Sequence, residues 1–383
     1  MIHLSVSNLG KGRLQLRSQP DSITITIKGR RRPMFCLCCR PPGGFFAEGV
    51  AEPVLDFAQA LKRRTAYERR TSYSAAPAVH PGQTEFVIRN AHAISMDPHI
   101  ADLANADIHI RDGAIVNIGR NLAATSTLEI DGSGLTALPG LVADHRHPVS
   151  ELLRTDDPHG AGFQAAQAEV VYRALRLALL DLASAGFTCV HVCGADIGSG
   201  HAETAVLAQI DAGLRGRFSF PLDAPTVREP KKAVRELYET WFAEPVEHLL
   251  DLGITGDDKD LEQILAPHRL PLTPTHDSSS SADGTAAART IGAARRLGYD
   301  QWIGSLSPGK RADLILVRGS AQLRTGKTLG QIAADDVDFV CIDGCIRKRN
   351  GVLTEPNEGL IRREGAEAIA RLGVLRHETK PRS

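Results

Sequence analysis

From residue 85 onward the chain is built of short apolar runs of two kinds. Phe86-Val87-Ile88, Ala106-Asp107-Ile108-His109-Ile110, Ala114-Ile115-Val116-Asn117-Ile118 and Leu128-Glu129-Ile130 are β-branched runs at roughly ten-residue spacing, the signature of a small antiparallel sheet. The apolar stretch from Gly134 to Asp144 then leads out of that sheet into a buried strand ending at His145. Beyond it, helix and strand patterns alternate. Residues 164–185 are Ala- and Leu-rich with a helical period, and Gly186 precedes a buried strand, Phe187-Thr188-Cys189-Val190-His191-Val192. Ala202 to Gly213 reads as a helix, Arg217 to Phe220 as a strand, and residues 231–243 and 258–266 as further helices. Such alternation implies a parallel sheet. After the polar run Ser278 to Ser281, Gly284 to Leu297 reads as a helix and Ala312 to Val317 as a strand. Val337 to Gly344 and Cys345 to Lys348 flank a glycine turn and predict a hairpin, and residues 357–371 predict a closing helix.

The first 84 residues have a different texture. Residues 1–47 carry eight Lys and Arg against one acid, Asp21, yet Ser22 to Ile27 alternates with the period of a strand rather than of a transit helix. Cys36, Cys38 and Cys39 have no Cys or His pair nearby to complete a four-ligand zinc site. The segment reads as a basic, poorly ordered extension, or as a reading frame that begins too early.

Composition narrows the class. With 45 basic and 45 acidic side chains there is no general electrostatic reason to bind nucleic acid. No apolar run approaches the ~20 residues of a membrane helix. Seven cysteines, an odd and sparse set, point to a reducing compartment and hence to the cytoplasm. A hydrophobic share of 42% in 383 residues leaves room for an enzyme.

Three motifs carry chemistry. In Leu138-Pro139-Gly140-Leu141-Val142-Ala143-Asp144-His145-Arg146-His147, two histidines at i and i+2 on a strand end share one face, so both imidazoles can reach one metal. The second motif is Ile303-Gly304-Ser305-Leu306-Ser307-Pro308-Gly309-Lys310-Arg311-Ala312-Asp313-Leu314. It lacks the first glycine and the Ser or Thr of a phosphate loop, so it reads as a turn into a strand with Lys310 solvated. The third is Asp336 to Gly344 followed by Arg349-Asn350-Gly351. Cys189 and Cys193, and Cys341 and Cys345, lack redox spacing and read as buried or strand-end thiols.

In this order the three motifs resemble the amidohydrolase superfamily, in particular its cytosine-deaminase-like and chlorohydrolase-like branch. The resemblance covers residues 85–255 and 284–355. It implies that the His145–His147 segment ends the first strand of a (β/α) barrel, and that a small β domain is built from both chain ends. It further implies one or two divalent metals, zinc or iron, held by His145 and His147, which polarise a water for attack on a carbon–nitrogen bond or a halogenated ring. An aspartate after the last barrel strand takes the water's proton; Asp277, beside His276, is the candidate. His191, His201 and His268 are the candidates for a third ligand, with His201 also readable as a solvated helix start and His191 as a core residue.

The spacing departs from the family. About five βα units fit between His145 and the Pro308-Gly309-Lys310 turn, against the eight of a full barrel of ~250 residues. The match lapses near residues 256–283, where the family carries its further histidines. The expected architecture is therefore α/β: an incomplete TIM-like (β/α) barrel at 138–304, and a composite β-sandwich from 85–137 and 305–355. Residues 1–84 form the extension and 356–383 a C-terminal helix and tail. The expected function is a metal-dependent hydrolase of carbon–nitrogen (non-peptide) bonds acting on a small molecule. The alternative is a catalytically inactive relative serving as an interaction protein, or a defective gene product. Neither nucleic acid nor membrane is an expected partner. Open sheet edges make a homo-oligomer a candidate assembly.

Overall fold

Local turn chemistry sets the first sheet. The computed structural model describes residues 85–123, 128–148, 166–194, 197, 199–222, 229–242, 249–255, 272–273, 285–319 and 332–379. The strand predicted at 22–27, the Cys36–Cys39 cluster, the helix predicted at 258–266 and the serine run fall outside these residues. Strands β1 (Phe86–Ala93), β2 (Leu103–Arg111) and β3 (Ala114–Gly119) form an antiparallel meander. Asp112 and Gly113 close its second turn, both at positive φ (52° and 73°), the two-residue geometry whose twist matches the flanking strands. β4 (Leu128–Asp131) and β5 (Thr136–Pro139) then both run parallel to β1. The sheet is therefore mixed, not antiparallel as the spacing predicts. After β3 the chain returns to the start of β1 instead of folding back on itself, and strand spacing does not encode that return.

Gly140 marks the passage from one sheet to the next. The apolar stretch predicted as one continuous strand is two, β5 and β6 (Leu141–Arg146), in different sheets. A Cβ on Gly140 would lie 2.1 Å from Thr188 Oγ1, so this crossing needs a residue without a side chain. Its amide donates to the Asp313 carbonyl at 2.9 Å.

Strand and helix then alternate: α1 (Ala168–Ser184), β7 (Phe187–Cys193), α2 (Ala202–Ala212), β8 (Arg215–Pro221), α3 (Pro230–Trp241), β9 (Leu250–Thr255) and β10 (Leu272–Thr273). The sheet is parallel throughout, in the order β10-β9-β8-β7-β6. Gly213, left-handed at φ 66°, stops α2, and Pro230 opens α3 where its missing N–H costs nothing. α3 buries Val234, Leu237 and Trp241, a helical stripe on an otherwise polar segment. One face of the sheet, with Val190, Val192, Phe218, Phe220, Leu252 and Ile254, joins the core formed with the helices. On the other, Val142 and Cys189 are covered by Ala293, Ala294, Leu297, Tyr299 and Ile303. That cover is the predicted helix, here a π-turn (Ala288–Gly292) running into α4 (Ala293–Leu297).

The chain then returns to the first sheet. β11 (Leu314–Val317) pairs antiparallel with β5, and β12 (Val337–Ile342), β13 (Cys345–Arg349) and β14 (Val352–Leu353) extend it, giving nine strands drawn from residues 86–139 and 314–353. The predicted hairpin closes through Asp343-Gly344, again with both φ positive. β11 starts two residues later than predicted because Asp313 is held in the turn. Its carboxylate accepts from Arg215 Nε (2.8 Å), Arg215 Nη2 (3.0 Å) and the Asp343 amide (2.9 Å). Arg215 Nη2 and Arg311 Nε also bind Asp343, at 2.6 and 2.5 Å. These four side chains join the parallel sheet to the mixed one.

The closing helix α5 (Glu358–Thr379) runs eight residues past its predicted end at 371, stopping shortly before Pro381. It lies close on α1, where a Cβ on Gly365 would sit 2.5 Å from Leu177 Cβ, and Arg362 binds Asp181 at 2.7 Å. Among the described residues no helix is long and apolar enough to cross a membrane.

Candidate active site

The C-terminal end of β6 carries the predicted metal ligands. His145 lies within the strand and His147 follows its last residue, Arg146. The His147 side chain is half-buried, while that of His145 is outside the described set. Asp277, His276 and His268 also lie outside the described residues.

The pairing of β6 with β7 is irregular at this point. Ala143 pairs with Val190 and Arg146 with Val192, so the register skips Asp144 and His145. Asp144 is nevertheless held on two sides. Its backbone carbonyl is 2.7 Å from His191 Nδ1, and its carboxylate is bound by Arg296 of α4. His191 projects from the middle of β7 and is fully buried. Its Nε2 is 2.6 Å from Ser219 Oγ on β8. A carbonyl can only accept, so the neutral imidazole carries its proton on Nδ1, and Nε2 accepts from the Ser219 hydroxyl. His191, a candidate third ligand by sequence, thus has both ring nitrogens engaged in hydrogen bonds.

Deeper on the same sheet face, Arg217 pairs bidentately with Asp251 (2.9 and 3.1 Å) and donates to the Leu297 carbonyl. Its guanidinium lies over the Tyr299 ring, 5.2 Å from the centroid. Burial acts to lower the Arg217 pKa, but the hydrogen bond and charge of Asp251 outweigh it and raise it above the ordinary value. Burial pushes the Cys189 thiol well up, which favours the thiol over the reactive thiolate. Burial also raises the Tyr299 phenol.

Two sequence readings need correction. His201 does open a helix, but it is buried, at 9% exposure, rather than solvated, because the 3₁₀ turn Ser199–His201 folds it in. Lys310 is half-buried, with Nζ donating to the Ile303 carbonyl at 3.3 Å, and desolvation lowers its pKa. Cys189, Cys193 and Cys341 are buried free thiols and Cys345 a half-buried one, as read.

The sequence reading missed Ser219, Arg296 and the carbonyl of Asp144. For Ser219 a signal existed, since it is a polar residue between Phe218 and Phe220 on a buried strand. For metal, the donor set offers two imidazoles at one strand end. Among the described residues no group of three His, Cys, Asp or Glu side chains could hold an ion.

No protein-family model matches the chain. It is 33% identical over 115 residues to a 5'-deoxyadenosine deaminase of Methanosarcina acetivorans, covering 27% of each protein. It is 24% identical over 224 residues to a 5-methylthioadenosine/S-adenosylhomocysteine deaminase of Desulforamulus reducens, covering 54% of this chain and 47% of that protein. The chain thus spans less than half the length of either curated relative. Its fold is similar to that of a mutant atrazine chlorohydrolase of Arthrobacter aurescens solved with zinc and atraton (TM-score 0.61, 16% identity, 74% of this chain and 100% of that one). It is also similar to a zinc-bound adenosine deaminase of Xanthomonas campestris (TM-score 0.60, 15% identity, 76% and 99%). What these two solved structures share with the chain is the fold, a mixed α/β architecture.

Proposed function

We propose that the chain is a metal-dependent hydrolase of the deaminase kind, acting on the exocyclic amine of an adenosine-type nucleoside altered at its 5' position. The observation that carries this reading is the His145–His147 pair at the end of the first parallel strand, in a fold similar to that of a zinc-bound adenosine deaminase. The named relatives supply the substrate class. They also disfavour the reading of an inactive interaction protein.

His145 and His147 fit as two ligands of a divalent ion, zinc or iron. A catalytic zinc takes three protein ligands, so the remainder would come from outside the described residues. When bound, such an ion supplies a water acidified toward neutral pH. The chain's own part is to carry His145 and His147 at the C-terminal end of the first parallel strand. Asp277 would take a proton from the attacking water and return it to the departing amine. We infer that the parallel sheet is the retained part of an incomplete barrel (138–304), and the nine-stranded sheet the composite small domain (85–137 and 305–355).

Elemental analysis of the purified chain should find zinc or iron near stoichiometry, and His145→Ala should lose most of it. Ammonia release from 5'-deoxyadenosine should fall in parallel. Substoichiometric metal that His145→Ala leaves unchanged would sink the reading.

A further inference from the structure

We propose that His191 is a positioning residue for the metal-binding end of β6, acting through the backbone carbonyl of Asp144. The inference rests on the metal reading above and adds a part that the sequence motif does not contain. Where β6 and β7 lose register, the ladder skips Asp144 and His145. An irregularity of this kind re-aims the side chains beside it and loosens the strand that carries it. Here the loosened carbonyl is taken by a side chain instead of by the ladder: His191 Nδ1, 2.7 Å away.

The imidazole is itself fixed. It is fully buried; the Asp144 carbonyl, which can only accept, places the proton on Nδ1, and the Ser219 hydroxyl at 2.6 Å donates to Nε2. Arg296 binds the carboxylate of the same Asp144 from α4. The residue immediately before His145 is therefore gripped through both its backbone and its side chain. The hydrogen-bonded line Ser219–His191–Asp144 runs across three strands, β8, β7 and β6, and ends one peptide from the first ligand. It sets the course of the β6 backbone where His145 and His147 follow. His191 itself does not touch the metal.

Two amide substitutions of similar size separate this role from mere core filling. In His191→Asn the side-chain N–H stands where Nδ1 stood and still reaches the Asp144 carbonyl. In His191→Gln it stands nearer the Nε2 position and faces Ser219. Zinc affinity, measured by chelator competition on full-length, folded protein, should stay within about 3-fold of the parent for Asn. It should fall about 10- to 100-fold for Gln, the usual range when a group that orients a ligand is lost. The visible d–d spectrum of the cobalt-substituted protein should follow the same split, unchanged for Asn and altered for Gln. In metal-free parent protein, ¹⁵N imidazole spectra should show His191 as the Nδ1–H tautomer, and Ser219→Ala should keep it, because the Asp144 carbonyl sets it. Equal zinc affinity in the Asn and Gln variants overturns the proposal, whether both match the parent or both are weak. If instead the parent's zinc is indifferent to His145→Ala, the metal reading fails and the positioning role falls with it. The ¹⁵N tautomer then still reports whether the His191–Asp144 bond exists, so the two failures are told apart.

Discussion

Arg215→Met is expected to lower the free energy of unfolding by about 3–5 kcal/mol at neutral pH, the cost of stranding buried charge by removing one partner of an ion cluster. The Arg215 side chain is 12% exposed, and its partners Asp313 and Asp343 are 1% and 3% exposed. Methionine keeps most of the apolar length but offers no donor to either carboxylate. Arg311 remains on Asp343, whereas Asp313 keeps only the Asp343 amide among the contacts its carboxylate makes in this cluster. Because these residues join the parallel sheet to the mixed one, the loss reaches beyond one strand. Urea unfolding followed by circular dichroism measures it, and a change below 1 kcal/mol would show that the cluster contributes little. Lysine should not rescue the variant, since a single ammonium cannot span two carboxylates in the planar fork that arginine presents.

The same cluster predicts a pH dependence. Burial acts to raise the Asp343 pKa, but the Arg311 hydrogen bond and the charge of Arg215 outweigh it, and the folded value lies below the ordinary one. A carboxylate depressed in the folded state adds stability above its unfolded pKa of about 3.9. That contribution disappears as the pH falls through 3.9 toward the lower folded value. The parent chain should therefore lose stability on acidification across this window. The gap between parent and Arg215→Met should be widest at pH 7 and shrink as the pH falls through this window and the Asp343 carboxylate takes up its proton. A gap independent of pH would mean that the methionine acts through packing alone.

What the sequence made legible follows the range of the interactions. Gly344 announced the hairpin because a two-residue turn with both φ positive depends on Asp343 and Gly344 alone. The helical and strand periods placed α1, β7, α2, β8 and α3 for the same reason, each being a local pattern. The direction of β4 and β5 against β1 was not legible, since it depends on where residues 119–135 carry the chain. Within the candidate site, His145 and His147 stood out because i, i+2 is a short local pattern. The hydrogen-bonded line beside them did not. His191 is 47 residues from Asp144 and 28 from Ser219, and no short pattern joins the three. Likewise Asp313 reads as part of a turn motif, while its partner Arg215 lies 98 residues earlier. The burial of His201 and Lys310 is also a tertiary fact. Both residues occupy local contexts, a helix start and a glycine turn, in which such side chains are usually wet.

Gly216→Ala should cost about 3 kcal/mol or more, at the upper end of what overpacking a well-filled interior does. A Cβ there would lie 2.0 Å from the carbonyl oxygen of Val190 and 2.9 Å from its carbonyl carbon. Those atoms belong to the neighbouring strand β7, directly across from Gly216 in the register. No rotamer change can relieve the contact; β7 and β8 must part. Parting them is resisted on both sides, because Gly216 also donates to the Leu249 carbonyl at 2.9 Å and its own carbonyl accepts from Tyr299. Gly140→Ala provides the comparison. Its closest contacts are the Thr188 Oγ1 and Cγ2 atoms, which can rotate away, leaving Thr188 Cβ at 2.7 Å. Gly140→Ala should therefore be partly rescued by Thr188→Gly, with a favourable coupling of about 1–2 kcal/mol in a double-mutant cycle. For Gly216→Ala, truncating the Val190 side chain should recover nothing, because the obstacle is backbone. Equal rescue at both sites would refute the distinction. The strand end affected is also the one that carries Arg215, so Gly216→Ala and Arg215→Met should be less than additive when combined.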